Sequence, residues 1–325
     1  MDANRILIVK MSSIGDIILS LPMLKALRTR YPRAHIAWIV EDRFKDVLEG
    51  NPDIDELIVY EKKGLLDVVV NAVLIVKRIR AGRFDVAIDI QGWLKSNFFT
   101  LLSGAKHTIG LDTVNELGFH VVREKVKVGH DMHMADRFLK VASAIGAEMH
   151  EPVFEFRIPP GESEYVRRFL EGEGITGKYR FVIISPGTTR QNKTWKLGNY
   201  SIVCDSLIGK HGLKVVIVWG PGEREQAVEI AGKMREHAII APPTSIKQLA
   251  ALIEESDLLI CPDCGPMHLA VALGTPTVTL FGPTNPKEWG PYRGTNIVLR
   301  GEGYSIDAIS SQEVVDAAKR VLGGV

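Results

Sequence analysis

Residues 5–31 read RILIVKMSSIGDIILSLPMLKALRTRY. Arg5 to Lys10 is an apolar, β-branched run of strand length, and Met11 to Gly15 is a Ser/Gly-containing loop. From about Asp16 to Tyr31 the apolar residues recur at helical spacing until Pro32 stops them. A strand with no polar face, feeding through a short loop into an amphipathic helix, is the repeating unit of a parallel sheet covered by helices on both sides. The unit recurs downstream. HIAWIV (35–40), ELIVY (56–60), FDVAIDI (84–90) and HTIGL (107–111) are strand patterns with helical patterns between several of them. The first half of the chain is therefore expected to be a doubly wound α/β sheet.

The pattern breaks at EPVFEFRIPPG (151–161), because Pro159-Pro160-Gly161 suits neither a central strand nor a helix interior. It then restarts. Helical patterns near 162–173, 197–210, 223–236, 246–255 and 266–273 alternate with RFVIISPG (180–187), LKVVIVWG (213–220), AIIAPP (238–243), DLLICPD (257–263) and TVTLFGP (277–283). A last amphipathic segment, SQEVVDAAKRVL, covers 311–322. Two Rossmann-like α/β domains facing across a cleft are expected: an N-terminal one over 1–156, a C-terminal one over 157–310, and a terminal helical segment over 311–325. No repeat of fixed period relates the halves.

Composition agrees with two ordinary globular domains. The chain has 325 residues, 46% hydrophobic and 24% charged, with 40 Lys+Arg against 39 Asp+Glu. That balance supplies no whole-protein field for nucleic acid, and none is expected as a partner. MDANRILIVK runs directly into strand pattern, and the longest apolar run, LLDVVVNAVLIV (65–76), carries Asp67 and Asn71 and falls short of a span. A soluble cytoplasmic protein is expected. Three cysteines make no disulfide framework.

In open α/β sheets, ligands bind beyond the carboxyl ends of the strands, and four loops at such ends carry chemistry. In the first, Ser12-Ser13-Ile14-Gly15-Asp16, the Asp at the helix start reads either as an N-cap or as a general base, with Gly15 allowing close approach of a substrate. The second, Ser185 to Lys196 (SPGTTRQNKTWK), gathers hydroxyls and cations suited to a phosphate; it is not a P-loop, and a merely solvated basic loop is the alternative. The third, Trp219-Gly220-Pro221-Gly222-Glu223, offers a carboxylate for a helix cap or a ribose diol, capping being favoured by the residues alone. The fourth, Cys261-Pro262-Asp263-Cys264-Gly265-Pro266-Met267-His268, spells a C-x-x-C with a histidine four residues on. Zinc would need more ligands than Cys204 can add from its amphipathic helix, and a thioredoxin-type site belongs in a smaller domain. An anion pocket of Asp263, the Cys264 and Gly265 amides and His268 at a helix N-terminus is preferred.

Taken together, LIVKMSSIGDIILSLP, FDVAIDIQGWLKS, SPGTTRQNKTW, VWGPGERE and PDCGPMHLAVALGTPTVTLFGPTNP, in this order over nearly the whole chain, resemble the bacterial ADP-heptose:lipopolysaccharide heptosyltransferases of glycosyltransferase family 9. The similarity is strongest to the branch that adds the first heptose to the Kdo region of the inner core. The resemblance implies the glycosyltransferase B fold, with acceptor on the N-terminal domain, ADP-heptose on the C-terminal domain, and a last helix packing back on the N-terminal domain. It implies Asp16 as catalytic base, and Thr188, Thr189, Lys193, Glu223, Asp263, Cys264, Gly265 and His268 around the donor, with Cys264 where the family usually has Thr.

For the acceptor, a Kdo-lipid A, it directs attention to Ser13, Gly15 and the cations Lys95 and Arg137, with Lys62, Lys63, Arg123 and His133 as weaker candidates. Peripheral contact with the inner face of the inner membrane follows, with no cofactor and no metal, since there is no Asp-x-Asp motif. Other transferases of the family, or a silent nucleotide-sugar or lipid-binding protein, are the alternatives; an intact Asp16 weighs against silence.

Overall fold

A computed structural model describes residues 3–61, 65–112, 121–129, 131–177, 179–188 and 190–323, with the side chains of 65–69 also outside the description. Thr189, Lys62 and Lys63 therefore lie outside the described residues. The contacts divide the chain into two units, Met1–Arg157 and Ile158–Val325.

In the first unit, β1 (Arg5–Val9), β2 (His35–Glu41), β3 (Glu56–Tyr60), β4 (Val86–Asp89), β5 (His107–Leu111) and β6 (Glu124–Val126) form one sheet in the order 3-2-1-4-5-6. Every neighbouring pair is parallel. Leu7, Val9, Ala37 and Ile39 point to one face, where Ile75 and Ile79 of α3 (Leu65–Gly82) and Phe99 of α4 (Leu94–Leu102) cover them. Helices α1 (Ile14–Leu19), α2 (Leu21–Arg30) and α5 (Met134–Ala144) pack on one another.

The single helix expected over 16–31 is two. Pro22 has no N–H to give the Ile18 carbonyl, so the turn closes at Ser20, whose hydroxyl donates to the Ile17 carbonyl at 2.7 Å, and α2 restarts with Pro22 in its first turn. The short strand β6 also has no apolar run to announce it: all three residues, Glu124 to Val126, are half-buried.

The second unit repeats the plan with other side chains. Its strands β7 (Phe181–Ile184), β8 (Lys214–Ile217), β9 (Ile239–Ile240), β10 (Leu258–Pro262), β11 (Thr277–Phe281) and β12 (Asn296–Arg300) run in the order 12-11-10-7-8-9. Counted from β7, this is again 3-2-1-4-5-6, all parallel. The helices are α6 (Pro160–Gly172), α7 (Leu197–Gly209), α8 (Arg224–Gly232), α9 (Ile246–Glu254), α10 (Gly265–Leu273), the single turn α11 (Pro286–Trp289) and α12 (Ser311–Val321). The diproline read as a break opens α6: Pro160 takes a first-turn position, where a missing N–H costs nothing.

Helix α12 packs into the core of the second unit. Val314, Val315, Ala317 and Ala318 bury against α7, β11 and β12, within the core of Trp195, Tyr200 and Val278. Burial of a valine is worth roughly 1.5–3 kcal/mol, so this apolar stripe holds α12 on the second unit. Trp195 adds a tether, its indole N–H donating to the Ile309 carbonyl at 3.0 Å just before the helix.

Candidate active site

The strand order reverses between β1 and β4 in the first sheet and between β7 and β10 in the second. At such a switch point the two flanking loops leave in opposite directions and open a crevice. The first and second candidate loops follow β1 and β7, and the fourth follows β10.

In the first unit, Ser13 and not Asp16 is the N-cap of α1, and Asp16 is the third helical residue. Its Oδ2 accepts from the Ser13 backbone N–H at 3.3 Å and the Ser13 hydroxyl at 2.7 Å, as in a capping box. Its Oδ1 accepts from the Lys10 ammonium at 3.1 Å. Lys10 is buried, close to the Ile90 carbonyl and 5.4 Å from the Phe138 ring centre. Burial pushes the Asp16 carboxyl up, but the Lys10 charge and the Ser13 and Lys10 hydrogen bonds together outweigh it and leave the pKa below the ordinary carboxylate value. The carboxylate is thus held ionised, with 23% of its side chain open to solvent.

The loop after β4 braces this arrangement. Gln91 Oε1 accepts from the backbone N–H of both Met11 and Ser12 at 3.0 Å. Asp89, fully buried, accepts from the amides of Gln91 and Gly92 and from the Thr100 hydroxyl. Burial raises the Asp89 carboxyl despite these donors. Lys10, Gln91 and Asp89 were not singled out from sequence, although a lysine closing an otherwise apolar strand was a usable signal. The two cations expected at the acceptor are both engaged. Lys95 Nζ pairs with Glu41 at 2.9 Å and lies 3.7 Å from the Tyr60 ring centre, while Arg137 is 6% exposed and donates through Nε to the Met132 carbonyl at 2.9 Å.

In the second unit, Lys193 Nζ meets Asp263 Oδ2 at 2.5 Å, joining the loop after β7 to the loop after β10. Their side chains are 15% and 9% exposed. Glu223 stands at the cap position of α8 without capping it. Its Oε2 instead accepts from the Gly220 N–H at 2.9 Å. A Cβ built on Gly187 would lie 1.9 Å from that same oxygen. The third loop's carboxylate is therefore laid against the second loop, while Glu225 is exposed in the first turn of α8. Thr188 is half-buried beside it in sequence. Replacing Gly187 by alanine must push the Glu223 carboxylate out of place.

The CPDC stretch forms the end of β10 and the start of α10. Cys264 is the N-cap, makes no side-chain cap bond, and is followed by Gly265 and Pro266 in the first turn; His268 is buried one turn on. Cys204, which in sequence has no ligand nearby, lies with Cys261 and Cys264 around the buried Tyr200. The two buried thiols of this cluster, Cys204 and Cys261, are not poised to react. Burial, then Cys264, pushes the Cys261 thiol well up, and burial pushes Cys204 up to about 12. Thiol exchange and metal ligation need thiolates. Among the described residues no group of three or more His, Cys, Asp or Glu is placed to hold a metal.

Known proteins share this construction. The family model described as glycosyltransferase family 9 (heptosyltransferase) matches residues 73–316. Lipopolysaccharide core heptosyltransferase OpsX of Haemophilus influenzae is 27% identical over 303 residues, covering 90% of this chain and 83% of that protein. Lipopolysaccharide heptosyltransferase 1 of Escherichia coli K12 is 25% identical, covering 96% and 98%. The crystal structure of a family 9 glycosyl transferase from Veillonella parvula matches with a TM-score of 0.89 at 27% identity, over 99% of this chain and 98% of that one. Two parallel six-stranded units, carboxylate and cation loops at both switch points and a family match over most of the chain lead to one assignment: this is a GT-B type glycosyltransferase belonging to glycosyltransferase family 9, the heptosyltransferase family.

Proposed function

We propose that the protein transfers heptose from ADP-L-glycero-D-manno-heptose to the Kdo region of the lipopolysaccharide inner core, working at the inner face of the inner membrane. Heptosyl transfer in lipopolysaccharide core assembly is the activity named for its relatives; the Kdo acceptor is the finer reading. The observation that carries it is the ionised Asp16, fixed by Lys10 and Ser13 yet open to solvent at the β1 switch point.

In an inverting displacement, Asp16 takes the proton of the acceptor hydroxyl as that oxygen attacks the anomeric carbon and ADP departs. A hydroxyl becomes strongly acidic as it forms its new bond, so a carboxylate of lowered pKa suffices. Its ionisation is what matters. On the donor side, negative charge grows on the β-phosphate. Lys193 and the amides of Cys264 and Gly265 at the α10 N-terminus supply fixed donors for it, to which we add the hydroxyls of Thr188 and Thr189 by their place in the sequence; Asp263 orients Lys193, and His268 stands one turn further along. Glu223 suits a ribose diol. Around the acceptor we assign Ser13, Gly15 and Lys95, the last exchanging Glu41 for an acceptor carboxylate, with Arg137 supporting the α5 N-terminus.

With the Lys193 ammonium assigned to the leaving group, the reading needs no divalent ion. Incubation with ADP-heptose and Kdo₂-lipid A in excess EDTA is expected to add one heptose to the acceptor by mass spectrometry. Donor binding without transfer would favour a binding protein, and an absolute Mg²⁺ requirement would remove the proposed role of Lys193.

A further inference from the structure

We infer that the outer faces of α3 and α4 form the surface by which this protein lies on an anionic phospholipid bilayer. The inference rests on the proposed membrane-borne acceptor only for its biological setting; the chemistry stands on the surface itself. A helix on the outside of an α/β unit normally turns apolar residues inward and polar ones to water. These two helices are apolar on both sides. Ile75, Ile79 and Phe99 fill the core, while Val73 and Leu74 on α3, and Leu94, Phe98 and Leu101 on α4, are exposed on the opposite side. Trp93, just before α4, is 64% exposed and Leu101 is 62% exposed. Positions 94, 98 and 101 follow i, i+4, i+7, so they form one stripe.

The two helices pack together, and Arg80 Nε of α3 donates to the Leu102 carbonyl of α4 at 3.1 Å, which ties their C-terminal ends side by side. A patch of this kind on a soluble protein marks an interaction site.

The charge around it identifies the partner. Residues 70–83 and 93–106 contain Lys77, Arg78, Arg80, Arg83, Lys95 and Lys106 and no Asp or Glu. Beyond these stretches, Asp67 falls in the first turn of α3, and at the margin Glu41 pairs with Lys95, Glu56 with Arg78 and Asp85 with Lys106. Lys77 and Arg83 are exposed and have no ion pair among the described residues. Exposed Trp, Phe and Leu, ringed by cations of one sign, match a headgroup layer that is anionic above and apolar beneath. A protein partner would need no such one-signed rim. A second copy of this chain would bring the same cations face to face and be repelled.

The test is co-sedimentation of the full-length protein with phosphatidylethanolamine/phosphatidylglycerol vesicles and with phosphatidylcholine vesicles. Binding is expected to the anionic vesicles, about tenfold or more above the neutral ones and weakening with salt. Phe98→Ser with Leu101→Ser should lower it at least about tenfold, and Lys77→Glu with Arg83→Glu should remove the salt-sensitive part. Trp93→Phe should still bind but lose quenching by brominated lipid. Wild-type protein that stays in the supernatant, or variants that bind as wild type, would overturn the inference. So would a wild-type dimer in gel filtration that Phe98→Ser/Leu101→Ser converts to monomer, since the face would then join two copies. Transfer to detergent-solubilised acceptor keeps the two ideas apart: transfer without vesicle binding sinks this surface and spares the function, and vesicle binding without transfer does the reverse.

Discussion

Asp16→Asn is expected to lower kcat by about 10²–10⁴-fold, the range general-base catalysis supplies, while ADP affinity stays at the wild-type value. Asparagine keeps an oxygen for the Lys10 ammonium but cannot accept a proton, and its NH₂ would face the Ser13 donors that now reach Oδ2. A melting curve separates lost chemistry from this local cost, and single-turnover transfer with intact ADP binding identifies the base. Wild-type transfer rates in Asp16→Asn would remove the assignment.

Lys10→Met probes the same residue through pH. With the ammonium gone, burial dominates and the Asp16 carboxyl rises, so the acid limb of the pH–rate profile moves to higher pH. In the wild type the folded pKa is depressed. Asp16 therefore contributes stability that is fully present above its unfolded value and lost as pH falls through its folded one. In Lys10→Met that contribution shrinks.

Lys193→Ala carries the second large effect, and it falls on two observables. Losing one preorganised donor at a departing charge typically costs about 10²–10³-fold in kcat, and donor affinity should weaken as well. The change also strands Asp263, only 9% exposed, without its partner at 2.5 Å. Leaving a buried charge uncompensated costs about 3–5 kcal/mol, so the denaturant midpoint should drop sharply. Adding Asp263→Asn removes the stranded charge. The double variant should regain most of the stability and none of the transfer, a split that a purely structural ion pair would not produce. Full activity in Lys193→Ala would rule out its role at the phosphate.

What sequence could show, and what it could not, follows from the range of each interaction. Fully buried parallel strands such as Arg5–Val9 and Leu258–Pro262 announce themselves because neither face tolerates polar residues. Loops at their ends are then findable by position alone. Glu124–Val126 and Asn296–Arg300 lie at sheet edges, where a half-buried strand carries no such pattern. Side-chain pairing was the least legible part. Nothing local says that Asp16 is a helix-internal residue tied to Lys10, or that Glu223 turns away from its own helix toward Gly187. The first choice is made inside the β1–α1 connection, braced from the distant Gln91 loop, and the second where the loops after β7 and β8 meet. The terminal helix is a similar case: its apolar stripe specifies burial, and only the core around Trp195 and Tyr200 specifies what it packs against in the second unit.

The shared 3-2-1-4-5-6 order of two halves without a sequence repeat has a consequence for how such a protein changes over time. The strands, packed on both faces, accept few substitutions. The loops after the first and fourth strand of each sheet carry the candidate site residues and are held mainly by one another. Each half is thus a fixed chassis with two exchangeable tips, and its candidate site can change one pair of loops at a time without the fold being renegotiated.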